Sequence, residues 1–134
     1  MSKEQSAVVI PSAIYPTFSS IVVGNIGFGQ PLNLEVTAEC GLEKSEDEKN
    51  IYYLDTLVRC CSEDTGFQIM VGVRAKVFAL GDEETIFQSV KNVVRDDTMS
   101  AAEDMIYKVG YLHGIPLRID LLEHIREDGY DEEE

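Results

Sequence analysis

Residues 67–80 read FQIMVGVRAKVFAL, and this stretch decides the fold. Apolar residues occupy all of its odd-numbered positions, whereas Gln68, Arg74 and Lys76 stand at even-numbered ones. This alternation predicts a β-strand with one face in the core and the other face open. On this interpretation the even-numbered Phe78 lies on the open face with the charged residues, and the odd-numbered Phe67 faces the core.

Three further strands are predicted on the N-terminal side of this strand. They are Ile51–Cys61, Asn33–Glu43 and a twisted or bulged strand at Ile14–Gln30. A turn at residues 62–66 and an exposed, charged loop at residues 44–50 provide the short connections. Consecutive strands with short connections favour an antiparallel sheet.

The apolar spacing changes to that of helices after the fourth strand. One helix is predicted from Asp82, and a second from Ser100, where Ser100-Ala101-Ala102-Glu103 has the capping-box pattern. Gly114 and Pro116 are expected to end the second helix. Residues 117–126 are predicted as a short strand running into a helix, and the acidic tail at residues 127–134 is expected to be disordered.

The order of these elements predicts an α+β fold, with a four-stranded antiparallel sheet followed by helices packed on one face. The length allows one domain, assigned to residues 1–126.

The composition argues against several classes of partner. A net charge of −14 disfavours binding to nucleic acid and to anionic membranes. No apolar stretch is long enough to span a bilayer, and Ala7-Val8-Val9-Ile10 is too short for the apolar part of a signal peptide. The three cysteines are an odd number and make a poor disulfide framework, so a cytoplasmic protein is expected.

The residues needed for catalysis or metal binding are not arranged in any known pattern. A nucleophile would need a histidine held by a carboxylate, but the two histidines, His113 and His124, flank the end of the second helix. We expect His113 to contact the free carbonyls there. The cysteines lack the spacing of a zinc site. The sequence therefore predicts no enzyme, no metal and no cofactor.

Several pieces of the sequence, taken in their order and spacing, resemble the SecB family of chaperones. They are Ile21–Pro31, Asn50–Tyr53, Thr65–Phe67, Val77–Gly81 and Gly114–Pro116. The resemblance runs from Phe18 to Pro116. It implies a four-stranded antiparallel sheet followed by helices, assembled as a homo-oligomer, either a dimer or a tetramer.

The resemblance also implies a function. An ATP-independent holdase binds unfolded or partly folded polypeptide, referred to below as the client, through exposed apolar and aromatic surface. The residues implied as polypeptide-binding are Tyr52, Phe67, Met70, Phe78 and Leu80. Packing in the core is an equally weighted alternative for Phe67.

Two features of the sequence bear on which partner is bound. The resemblance implies that export chaperones of the family bind the SecA motor through an acidic patch on the sheet. In this sequence the corresponding residues are Asn25, Gly29, Gln68 and Met70, and none of them is acidic. SecA is therefore not expected as a partner. A more specific form of the holdase hypothesis is a chaperone dedicated to one antitoxin. The alternative is an acidic inhibitor or decoy that binds one folded basic partner, which the net charge alone supports.

Overall fold

The computed structural model describes residues 7–24, 33–115 and 117–123. Its regular elements are β1 (Val8–Val22), β2 (Glu35–Lys44), β3 (Ile51–Ser62), β4 (Phe67–Leu80) and α1 (Glu83–Leu112). The strands form one sheet in the order β1-β4-β3-β2, and each neighbouring pair is antiparallel. The predicted α+β fold with a four-stranded antiparallel sheet is confirmed.

The core lies between one face of the sheet and α1. Every odd-numbered residue of β4 is buried there, as its alternation predicts. The helix contributes a buried stripe with helical spacing, formed by Ile86, Val90, Lys91, Val94, Thr98, Met99, Ala102, Ile106 and Gly110. The buried apolar side chains divide into two clusters along the helix, one centred on Phe67, Ile69 and Met99 and the other on Leu54, Val77 and Val90.

The strand β1 differs from its prediction at both ends. It begins at Val8 rather than at Ile14, and it ends at Val22. Pro11 and Pro16 argue against a strand, but β1 is an edge strand, where a residue without an N–H group can face away from the neighbouring strand. The register with β4 shifts beside each proline. The predicted continuation to Gln30 falls mainly on residues 25–32, which lie outside the described residues.

A single helix replaces the two predicted helices. α1 runs without a break through Ser100, so the predicted capping box at that position is wrong. Asp96 and Asp97 face solvent, while Thr98 and Met99 continue the buried stripe. Glu103 accepts a hydrogen bond from the backbone N–H of Leu121 at 2.8 Å instead of capping its own helix.

The helix ends where the sequence predicts. Gly114 adopts a φ of 78°, and the backbone N–H of Ile115 donates to the carbonyl oxygen of Gly110 at 2.7 Å. The predicted strand after this point is wrong, because residues 117–120 have no regular structure and residues 121–123 form a helical turn. Leu121 of that turn is buried against the core. Pro116, His124 and the predicted acidic tail lie outside the described residues.

Two buried hydroxyl groups allow a test of the core. Among the described residues, Thr56 Oγ1 and Thr98 Oγ1 are buried without a hydrogen-bond partner. Burying an unpaired hydroxyl costs about 1–3 kcal/mol. We expect Thr56→Val to raise the free energy of unfolding by about 1 kcal/mol, measured by urea denaturation. Thr37→Val makes the same change at an exposed position of β2 and should be close to neutral. Equal effects of the two substitutions would contradict this assignment.

Candidate functional site

The sheet face opposite α1 carries a row of exposed apolar side chains. The register with β4 places alternate residues of β1 on this face, opposite Leu80, Phe78, Arg74, Gly72 and Gln68. We call the following residues the apolar row: Val8 (56% exposed), Ile10 (55%), Tyr15 (39%), Phe18 (46%), Val22 (52%) and Leu80 (46%). All but Leu80 belong to the edge strand β1. The open face therefore offers a long apolar surface beside an unpaired strand edge.

A group of paired charges crosses the middle of the same face. Arg74 donates to both carboxylate oxygens of Asp55, at 2.7 and 2.9 Å, and to Glu43 at 3.3 Å. Its guanidinium lies 4.6 Å from the ring centroid of Tyr53. Lys76 pairs with Glu48 at 3.5 Å, which ties the β2–β3 loop to β4. The hydrogen bond with Asp55 raises the pKa of Arg74, so this cation stays charged.

The structure does not bring the five predicted polypeptide-binding residues together. Met70, Phe78 and Leu80 lie on the open face, at partly buried or exposed positions. Tyr52 and Phe67 lie on the face that α1 covers, and their side chains are 8% and 1% exposed. Phe67 fills the core, as the alternative interpretation predicts, and so offers no surface to a client in this structure.

Tyr52 lies close to a small groove on the helix side. The groove has a volume of ≈ 230 Å³ and is lined by Leu42, Lys44, Tyr52, Glu83 and Ile86. It lies where the edge strand β2 approaches the start of α1. Because Tyr52 is nearly buried, only part of its ring can be reached from this groove.

The exposed residues of β1 were missed by the sequence analysis. Val8, Ile10 and Phe18 stand out only when β1 is recognised as a strand, and two prolines obscure that pattern. The available signal was the content of β-branched and aromatic residues on either side of Pro11, in Val8-Val9-Ile10 and in Ile14-Tyr15. Proline in an edge strand is compatible with such a composition.

The neighbouring cysteines Cys60 and Cys61 lie on opposite faces of the sheet, so Cys60 is buried and Cys61 is partly exposed. Burial, with a smaller contribution from Cys61, raises the pKa of Cys60 from 9.0 to about 12. Since the thiolate is the reactive form, we expect labelling of Cys60 by a thiol reagent at pH 8 to be slower by about 1000-fold than at an unshifted thiol. Mass spectrometry of the labelled native and urea-unfolded protein measures this. Labelling of native Cys60 as fast as that of the partly exposed Cys61 would contradict the burial.

The described part of the chain offers neither a cluster of metal ligands nor a membrane-spanning helix. No group of three or more His, Cys, Asp or Glu side chains is placed to hold a metal ion within residues 7–24, 33–115 and 117–123. None of the helical residues described forms a segment long and apolar enough to cross a membrane. His113 Nδ1 lies 3.0 Å from the carbonyl oxygen of Val109, so the predicted contact with the helix end is confirmed.

A four-stranded antiparallel sheet with one long helix on one face and the opposite face open defines the SecB-like α+β fold. Among solved structures, this chain is similar to the Mycobacterium tuberculosis Rv1957 SecB-like chaperone in complex with a ChAD peptide from the Rv1956 HigA1 antitoxin. The TM-score is 0.71 at 9% sequence identity, and the match covers 84% of this chain and 86% of that chain. The resemblance inferred from the sequence is thus confirmed for the fold.

A protein of unknown function from Streptococcus agalactiae also matches, with a TM-score of 0.48, 16% identity and coverage of 87% of this chain and 99% of that one. No family model and no curated protein matches the sequence.

Proposed function

We propose that this protein is an ATP-independent holdase that binds non-native polypeptide on the open face of its sheet. The apolar row carries the proposal. Large exposed apolar patches on soluble proteins mark binding surfaces, because leaving such surface in water is unfavourable. Met70 and Phe78, which the sequence analysis assigned to the site, lie on the same face and extend this surface.

The charge of the protein suits such a role. A net charge of −14 keeps a chain that displays apolar surface soluble, because like-charged molecules repel one another. Arg74 is already paired with Asp55 and Glu43 and therefore does not demand an acidic partner. Binding through the apolar row should therefore tolerate salt, since screening weakens ionic contacts and leaves apolar burial intact.

We further propose that the client of this protein is an antitoxin. The structure with the SecB-like fold noted above holds a peptide from an antitoxin, and its TM-score to this chain is 0.71. An antitoxin segment that is unfolded before it meets its toxin would expose the apolar residues that the apolar row can cover. The cytoplasmic location predicted from the sequence is compatible with this client.

Assembly into a homo-oligomer, either a dimer or a tetramer, belongs to the same proposal. A second copy of the chain would cover part of the apolar surface that one copy exposes. Symmetric association is the commonest way in which soluble proteins cover such surface. Light scattering gives the mass of the assembly on the sample used for the binding assays.

The test is suppression of aggregation of a chemically denatured model protein at low and high salt. We expect the double variant Ile10→Ser, Leu80→Ser to need about tenfold more protein for the same suppression, because two apolar contacts of about 0.7 kcal/mol each are lost. The matched control is Val93→Ser, Leu112→Ser, which removes two exposed aliphatic side chains from α1 instead.

Three outcomes distinguish the possibilities. Salt-tolerant suppression that only the sheet variant weakens supports the holdase. If both double variants lose the same amount of aggregation suppression, any exposed apolar surface is enough for client binding. The assignment of the client site to the open face would then be wrong. An absence of suppression, together with salt-sensitive binding of one folded basic protein, would favour the acidic decoy.

A further inference from the structure

The strand β1 contains an extra residue next to Phe18. In the register with β4, Pro16 lies opposite Val73 and Phe18 lies opposite Gly72, so Thr17 has no partner of its own. One extra residue in one strand is a β-bulge, in which two residues lie opposite a single residue of the neighbouring strand. Thr17 and Phe18 therefore share the position opposite Gly72.

Gly72 leaves open the space that these two side chains occupy. A Cβ atom at Gly72 would lie 2.6 Å from Thr17 Oγ1 and 2.7 Å from both Cδ1 and Cε1 of Phe18. Carbon atoms of packed side chains are normally about 3.5–4.0 Å apart. Any side chain in place of Gly72 would therefore push the Phe18 ring away from β4. This close approach accounts for a glycine in the middle of β4, because glycine otherwise weakens a strand interior.

The other bulge of β1 shows that a bulge does not by itself require a glycine opposite it. There Ala13 lies opposite Lys76, and Ser12 is the extra residue. The two side chains of this bulge are small, and the residue opposite them has a long side chain. The absence of a side chain at Gly72 therefore matches the large ring of Phe18 and not irregular pairing as such.

The Phe18 ring is partly held by the sheet and partly open to a partner. Phe18 is 46% exposed, and its contacts with Gly72 place one edge of the ring against the backbone of β4. A side chain that is already held in one place loses little conformational freedom when a partner binds. Ordering a free side chain on binding weakens the affinity by about two- to tenfold.

We propose that Gly72 is a positioning residue for client binding, because it lets the Phe18 ring rest against β4 and so presents the ring to a client in one orientation. This inference rests on the proposed function, in which Phe18 belongs to the apolar row. Gly72 has no side chain that a client could contact. It acts through Phe18.

A double-mutant cycle of Gly72→Ala and Phe18→Ala tests this role. The probe is fluorescein-labelled reduced lactalbumin, which stays unfolded once its disulfides are broken, and fluorescence anisotropy gives its Kd. We expect Gly72→Ala to weaken binding about fivefold in the wild-type chain, because the client must order the displaced ring. In the Phe18→Ala chain the same substitution should leave the Kd unchanged, since no ring remains to be positioned.

Gly41→Ala is the matched control for the change from glycine to alanine. Gly41 lies on the same face of the sheet, and a Cβ atom there would meet nothing within 4 Å. We expect this substitution to leave the Kd unchanged in both the wild-type and the Phe18→Ala chain. A cooperative thermal transition shows that each variant is folded.

A second measurement needs no substitution at Gly72. NMR spectra of protein labelled at glycine and phenylalanine record NOE cross-peaks between the Hα protons of Gly72 and the ring protons of Phe18. We expect these cross-peaks in the free protein, and we expect them to persist with reduced lactalbumin bound, because the ring is already in place. Their disappearance on binding would show that the ring leaves β4 to meet the client and would overturn the positioning role.

The cycle has its own contradicting outcome. Equal weakening by Gly72→Ala in the wild-type and Phe18→Ala chains would mean that the loss does not act through the ring, and Gly72 would then be only a structural residue. Either failure in a protein that suppresses aggregation rejects the role of Gly72 and leaves the holdase in place. Wild-type protein that neither binds reduced lactalbumin nor suppresses aggregation would reject the proposed function together with this role.

Discussion

Replacing Phe67 by alanine is expected to lower the free energy of unfolding by about 3–5 kcal/mol. The ring is 1% exposed and packs with Ile69, Met99 and the rest of its cluster between the sheet and α1. Removing it loses the free energy of burying the ring and leaves a cavity that the surrounding strands cannot fully close. Urea denaturation followed by circular dichroism measures the change.

The matched control is Phe18→Ala, the same substitution at a side chain that is 46% exposed on the open face. It should change the free energy of unfolding by about 1 kcal/mol or less. The two variants also separate the alternatives stated for Phe67. Weakened client binding with unchanged stability in Phe67→Ala would restore it as a contact residue and contradict its place in the core.

Gly110→Ala should lower the free energy of unfolding by about 2 kcal/mol, although alanine is the better helix former by about 1 kcal/mol. A Cβ atom at this position would overlap the carbonyl oxygen of Ile115 and lie 3.2 Å from its carbonyl carbon. The backbone at Ile115 and at Leu117 would have to move away. That movement would strain the hydrogen bond from Ile115 to Gly110 and the packing of Leu121.

Ser100→Ala provides the comparison within the same helix. Ser100 is exposed in the middle of α1, so the gain in helix propensity should raise the free energy of unfolding by about 0.5 kcal/mol. A serine that capped a helix would instead cost about 1 kcal/mol when replaced. Stabilisation by Gly110→Ala as well would show that the segment after α1 does not pack against it. The midpoints of denaturant unfolding of the two variants, each compared with that of the wild-type protein, measure these changes.

The strands β3 and β4 could be predicted from the sequence to within one residue because their alternation is strong and a charged turn separates them. In these two strands, the apolar positions of the sequence pattern are the positions that the folded structure buries. β1 could not be placed in the same way, since Pro11 and Pro16 oppose a strand until the neighbours of β1 are known. Edge position is a property of the whole sheet, and the prolines alone do not show whether the segment is an edge strand or no strand at all.

The candidate site was only partly predictable for a similar reason. Alternation in β4 placed Met70, Phe78 and Leu80 on the open face without any tertiary information. The open face also holds a groove of ≈ 670 Å³, lined in part by Phe18, Leu57 and Gly72. It depends on Phe18 lying over Gly72, two residues that are distant in sequence and meet only through the β1–β4 register. No property of an isolated glycine indicates whether a ring from another strand will cover it.

The prolines of β1 have a further consequence for how the chain behaves in a crowded solution. An unpaired strand beside an apolar surface can act as a template on which identical molecules add strands, and such growth leads to fibrils. Pro11 and Pro16 supply no N–H group, and the register shifts next to them interrupt the edge. An incoming strand would find only short uninterrupted stretches at residues 8–10 and 18–22. The edge strand β1 can thus expose apolar side chains and still be a poor template for the addition of strands from other copies of the chain.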